Sequence, residues 1–341
     1  MKRILCIILV FSGLTTVAQQ DPQFTMNFAN KLFNNPAYAG TKKICATGIF
    51  RQQWTGFEGA PRDIVFSMHS PINLKVFEDS RMINPGVGFT FVNDKIGPIS
   101  TNIIKASIAN HFKFSSIGTI SLGVGVGAVG VDVDPSSFVT PDGLIGGQIE
   151  DPNINPDENA KKYGFDMDVG LYYRSADEKI WAGASLVHMI PSDVETSIRE
   201  TNGGSNPDQK TTYSVKSHAY FMGGYKIEGF MGMSDWDLLP SAFVKTEFKT
   251  TQVDLNVRAL YQQKIWGGVS WRFQDAVAIM GGYNWSNVGG GNGNAKVGFS
   301  YDIVTSKLFR HNVGSFEVFV NYCFGFTPKP KISIHKNPLW L

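Results

Sequence analysis

The most regular stretch of the chain runs from Thr251 to Gln262. Val253, Leu255, Val257, Ala259 and Tyr261 fall on one side, and Gln252, Asp254, Asn256, Arg258 and Gln262 on the other, with Leu260 the exception. A two-residue period sends alternate side chains to opposite faces of an extended chain, so the stretch reads as a strand with one apolar face. The pattern recurs where Phe165, Met167, Val169, Leu171 and Tyr173 alternate with Asp166, Asp168, Gly170, Tyr172 and Arg174. It recurs again over 296–303 and 315–326, where Glu317, Asn321 and Cys323 take the less apolar side. Read in this way the chain holds about 14 strands, an even number as in bacterial membrane barrels. They span 44–57, 61–71, 85–95, 101–114, 117–131, 162–175, 179–190, 211–227, 238–248, 251–263, 266–274, 276–286, 295–305 and 315–326.

Periodicity alone does not separate a soluble sandwich, whose apolar face is its core, from a membrane barrel, whose apolar face meets lipid. Strand length favours the barrel, since a dozen residues is about twice an ordinary strand. So do aromatic residues near strand ends (Trp54, Phe57, Trp181, Trp266, Tyr283 and Trp285), read as interface girdles. The expected fold is all-β: a closed antiparallel transmembrane β-barrel over 43–326 with both termini periplasmic. In that orientation the long connections 132–161 and 191–210 face outward, as barrel loops do. Segments 72–84 and 228–237 are then large periplasmic structures and candidate docking surfaces.

Composition agrees. The sequence has 36 Gly and 13% aromatic residues, a mixture suited to barrel walls and poorly suited to helices. Lys2 and Arg3, the apolar run Ile4–Phe11 and the small residues Thr16-Val17-Ala18 form a signal peptide over 1–18. Cys6 lies inside the apolar run, not at a lipoprotein cleavage point. The formal charge of +2 includes Lys2 and Arg3, so the mature chain is neutral and carries no electrostatic footprint for nucleic acid.

Chemical motifs are weak. Gly125, Gly127 and Gly130 spell GxGxxG, but the chain continues as strand and turn instead of the helix that a dinucleotide site needs. Asp151 to Asp157 imitates the start of a calcium loop, yet Pro156 replaces the required Gly and Lys162 the required Glu, which leaves a solvated loop. The six His show no zinc spacing, and no GxSxG elbow occurs. The expectation is a protein without enzymatic activity, cofactor or metal. Cys45 and Cys323 lie on the first and last strands, which closure makes neighbours. Two free thiols are expected, with a barrel-closing disulfide as the alternative. The inward-facing charges Arg51, Asp166, Asp168, Arg174, Lys245, Glu247, Asp254, Arg258, Arg272 and Glu317 are of mixed sign and predict pairing through the lumen. Such a network either braces the wall or lines a polar path. Segment 19–42 carries Phe24, Phe28, Leu32, Phe33 and Tyr38 outside any strand, as a partner surface or as a plug in the barrel mouth.

Several stretches resemble the PorP/SprF family. Asp21-Pro22-Gln23-Phe24, with Asn35-Pro36-Ala37-Tyr38-Ala39-Gly40, resembles its opening motif. Arg51-Gln52-Gln53-Trp54 with Gly56-Phe57 and Gly59-Ala60-Pro61-Arg62 resembles its first hairpin, and Gly86-Val87-Gly88 through Pro98 the next. Gly282-Tyr283-Asn284 and Ser300-Tyr301-Asp302 are similar to its late strands. Gly314-Ser315-Phe316-Glu317 resembles a Gly-Ser-His-Glu motif in which Phe316 replaces the His. The resemblance implies an outer-membrane barrel of the bacterial type IX secretion system and gliding motility. It implies cargo with a C-terminal sorting domain, including adhesins, and periplasmic ring or peptidoglycan-binding lipoproteins as partners. Asp21, Pro22, Gln23, Phe24, Asn35, Pro36, Tyr38 and Gly40 are then the candidate partner-binding residues, with 19–42 and the tail 327–341 on the periplasmic side.

Overall fold

A computed structural model describes residues 21–41, 43–72, 83–134, 160–190, 192–197, 210–289, 292–306 and 312–325. The signal segment 1–18, the tail 327–341, the calcium-loop mimic at 151–157 and most of segments 72–84, 132–161 and 191–210 lie outside the described residues.

The strands are β1 (Ile44–Gln52), β2 (Arg62–Pro71), β3 (Pro85–Ile96), β4 (Ile99–Phe114), β5 (Gly118–Val133), β6 (Ala160–Arg174), β7 (Ile180–Val187), β8 (Ser192–Ser197), β9 (Lys210–Val215), β10 (His218–Tyr225), β11 (Trp236–Thr246), β12 (Thr251–Tyr261), β13 (Ile265–Arg272), β14 (Ala276–Val288), β15 (Gly293–Val304) and β16 (Ser315–Phe324). Fourteen of them close into one antiparallel barrel, each beside its neighbour in sequence, with β1 sealed against β16. The mouth at which β1 begins and β16 ends is called the near mouth, and the other the far mouth.

The direction of alternation decides between sandwich and membrane barrel. On β2, Ile64, Phe66 and Met68 are exposed while Asp63, Ser67 and His69 are buried. On β4, Ile104 and Ile108 are exposed while Lys105, Ser107 and His111 are buried. Leu255 and Val257 likewise point out, and Asp254 and Asn256 in. An exposed apolar belt around a polar interior places lipid outside and the packed core in the lumen. Among the described residues no helix is long and apolar enough to cross a membrane.

Two expectations are corrected. The region 211–227 is not one strand, because β9 pairs with β8 in a separate two-stranded sheet and only β10 joins the wall. His188 ends β7 with φ of 51°, a left-handed turn, and its carbonyl accepts from the Ser217 hydroxyl at the start of β10. The aromatic ends also divide. Trp285 and Phe57 are exposed, whereas Trp266 is buried in the lumen and Trp181 packs inward on Tyr172. Strand position alone does not say which of two faces a terminal ring takes.

The core is built around residues 21–41. They enter the lumen toward the far mouth, form a short helical turn (Lys31–Asn34) and a 3-10 turn (Pro36–Tyr38), and reach the near mouth before β1. Phe24, Met26 and Phe33 pack against Ile49, Val65, Val92, Ile103 and Val129, which point inward from β1 to β5. These wall residues break the polar inner face where the plug needs an apolar partner. Gly123 and Gly170 admit its backbone. A Cβ on Gly123 would stand 2.4 Å from Ala37 Cα, and one on Gly170 would stand 2.1 Å from Asn35 Oδ1.

Candidate functional site: a plugged lumen

The alternation of β1, β12, β13, β15 and β16 brings five charged side chains to one level of the lumen. Arg51 lies 2.8 Å from Asp302 and 3.2 Å from Glu317. Arg272 lies 3.5 Å from Asp254 and 3.4 Å from Asp302. All five side chains are nearly fully buried. The plug completes the cluster, because Glu317 accepts from the Thr25 N–H at 2.7 Å and the Met26 N–H at 3.0 Å. The Thr25 hydroxyl accepts from Arg51 at 2.9 Å and Arg272 at 3.0 Å, and donates to Asp302. Buried charges persist only when paired and hydrogen-bonded, and here part of the pairing comes from the plug backbone.

A second cluster holds Asp21. Its carboxylate accepts from the Tyr220 hydroxyl and faces His188 Nε2 at 3.1 Å and His218 Nδ1 at 3.7 Å. Lys245 donates to the Asp21 carbonyl at 3.0 Å. His188 Nδ1 lies 3.0 Å from Asp166, so the ring sits between two carboxylates. Lys105 bridges Asp166 and Asp168, each at 2.8 Å, and His218 Nε2 faces Glu247 at 3.1 Å. Burial by itself would raise the Asp21 carboxyl. His218, His188 and Lys245 outweigh it and hold the group well below the usual carboxylate range.

Toward the near mouth, Asn35 donates to the carbonyls of Leu171 (2.9 Å) and Ala184 (3.3 Å) and accepts from Ala37 N–H. His111 Nε2 lies 2.9 Å from the Ala39 carbonyl, and Tyr38 packs edge-on against His69 and Tyr172. Gly40 takes φ of 75° against Gly86, where a Cβ would stand 2.3 Å from the Gly86 Cα.

The candidate partner-binding residues and the lumen charges all lie among the described residues. Of Asp21, Pro22, Gln23, Phe24, Asn35, Pro36, Tyr38 and Gly40, none is exposed, because all face the wall from inside. Of the two arrangements left open for this segment, it takes the plug. Among the lumen charges, Arg174 stands apart, half-buried near Glu178 at 3.9 Å. Arg258 has no ion-pair partner among the described residues. Asp302, Lys105, His188, His218, Tyr220 and Thr25 were not picked out. Asp302 and Lys105 do sit on the polar phase of their strands, which was the available signal.

Cys45 and Cys323 are disulfide-bonded, with Cα atoms 4.1 Å apart. The expectation of two free thiols is corrected, since the β1–β16 register sets the two residues directly opposite. Gly125, Gly127 and Gly130 lie within β5, not at a helix start. Among the described residues no group of His, Cys, Asp and Glu is arranged to hold a metal ion.

A family model described as type IX secretion system membrane protein PorP/SprF matches residues 16–322. The chain belongs to this family. It is accordingly an outer-membrane β-barrel associated with type IX secretion. No curated protein is significantly similar to this PorP/SprF chain in sequence. Among solved structures, it resembles the CymD monoaromatic hydrocarbon channel at 10% identity, covering 89% of this chain and 94% of that one with a TM-score of 0.50. A TodX mutant described as a monoaromatic hydrocarbon channel matches at 10% identity, over 86% and 94% of the two chains, with a TM-score of 0.50. A Pseudomonas aeruginosa FadL homologue matches at 11% identity, over 88% and 94%, with a TM-score of 0.49. At these identities the likeness concerns the barrel fold alone.

Proposed function

We propose that this PorP/SprF protein is a plugged, non-enzymatic accessory barrel of the type IX system. It scaffolds export or surface attachment of cargo with a C-terminal sorting domain and docks periplasmic lipoproteins. The observation that carries the reading is the plug. Residues 21–41 fill the lumen and are tied to the wall by two buried charge clusters, which is the construction of a fixed platform more than of an open pore. In this reading the near mouth is periplasmic. Segment 228–237 there presents Met231, 79% exposed, and Met233 to a partner.

Affinity purification of the full chain from solubilised membranes of its own cells is the test. Recovery of sorting-domain cargo or of ring and peptidoglycan-binding lipoproteins is expected. Recovery of neither refutes the scaffold. The second reading is a small-molecule channel, to which the fold likeness to hydrocarbon channels lends its one supporting observation. Planar-bilayer recording separates the two, since a scaffold is silent and an open channel conducts steadily.

A further inference from the structure

Arg258, half-buried, has no carboxylate partner among the described residues, whereas Arg51, Arg272 and Lys105 each pair with two or more. On β11 and β13 its register partners are Leu239 and Gly268, neither of which can neutralise it. Its guanidinium carbon sits 3.5 Å from the centroid of the Phe28 ring and 5.9 Å from that of Trp266. Its Nε–H is buried without an acceptor. Stacking on Phe28 occupies a face of the guanidinium and leaves the in-plane N–H groups to look for an oxygen. An unsatisfied buried donor is costly, and a charged one more so.

Arg258 lines a cavity of about 260 Å³ between the plug and the near half of the wall. The volume is slightly below the usual ~300–1,000 Å³ of small-molecule sites. One side is apolar and rigid: Phe28, Trp266 and Phe319 meet one another at ring centroid separations of 5.6 to 6.1 Å. Leu239 and Leu260 extend that side. Among the described residues no carboxylate lines the cavity.

We propose that this cavity binds a small amphiphilic monocarboxylate. The carboxylate takes the two Nη groups of Arg258 as a two-bond fork, and the apolar body lies against Phe28, Trp266 and Phe319. A cation without a counter-charge among the described residues selects the anion, and the cavity volume of about 260 Å³ limits the body to a single ring or a short alkyl chain. The site stands independently of the scaffold reading.

The test uses 4-fluorobenzoate and its neutral counterpart 4-fluorobenzamide, followed by fluorine NMR line broadening with the full chain in lipid nanodiscs and empty nanodiscs as blank. The acid is expected to bind at least tenfold more tightly than the amide. Arg258→Gln is expected to weaken the acid at least tenfold and to abolish its preference over the amide, with Arg258→Lys between. Equal binding of acid and amide to the wild-type chain overturns the proposal, as does absence of binding by the acid. The wild-type comparison stands even if a variant fails to assemble. A purely structural Arg258, bracing Phe28, would give no preference for the acid.

Discussion

Glu317 offers the sharpest test of how the plug is held. Its carboxylate accepts three hydrogen bonds, from the backbone N–H groups of Thr25 and Met26 and from Arg51. Glu317→Gln keeps the shape, removes the charge and turns an NH2 toward at least one of those donors. A hydrogen bond to a charged group contributes about 1.5–3 kcal/mol and a neutral one about 0.5–1.5 kcal/mol. Losing one (about 1.5–3 kcal/mol) and weakening two (about 1–1.5 kcal/mol each), while Arg51 keeps Asp302, loosens this end of the plug by about 3.5–6 kcal/mol. At one factor of ten per 1.4 kcal/mol, the plug opens about 300- to 20,000-fold more often. The strands keep their ladder hydrogen bonds, so the wall is unaffected. Hydrogen–deuterium exchange in nanodiscs reads this directly, with faster exchange of peptides over 24–30 and unchanged exchange over β12 to β16. Unchanged plug exchange would refute the anchoring role, and parallel opening of plug and wall would show that the two are one cooperative unit.

Other expectations follow from the same geometry. Gly123→Val places a side chain where Ala37 runs, so the variant barrel, if it assembles, conducts in a planar bilayer where the wild type is silent. Asp21, held below its ordinary range, contributes fully above the unfolded value near ~3.9 and loses that contribution as pH falls through its folded value. Exchange at 21–24 should therefore rise below about pH 4 in the wild type and be fast at all pH values in Asp21→Asn. Alkylation under non-reducing conditions should label neither Cys45 nor Cys323. The double Ser variant should still assemble, with stability reduced by about 2–4 kcal/mol. Ile279→Arg sets a cation on the lipid face, where Ile279 is 55% exposed, and should cost about 2–4 kcal/mol in urea unfolding from bilayers.

The wall was legible because its code is local. An apolar residue at every second position is visible within any one strand, and the phase of β12, β6 and β16 in the sequence is the phase in the structure. The plug was half legible. Phe24, Phe28, Leu32, Phe33 and Tyr38 stood out as apolar residues without a strand. The complementary signal, inward Val and Ile beside outward Ile and Phe on β2 and β4, looked like noise in the alternation. The eighth strand was misjudged because β-forming residues continue through 211–227 and nothing in that run announces that its first half pairs outside the wall.

By itself the sequence determined long strands with one apolar and one charged face, because side-chain direction along an extended chain depends only on residue parity, and the folded wall decided that the apolar face is the outer one. The tertiary structure alone decided that 21–41 fills the lumen, that Arg51 meets Asp302 and Glu317 while Arg258 meets no acid among the described residues, and that Cys45 joins Cys323. Those outcomes depend on register and closure between strands as far apart as 278 residues, which no local period encodes.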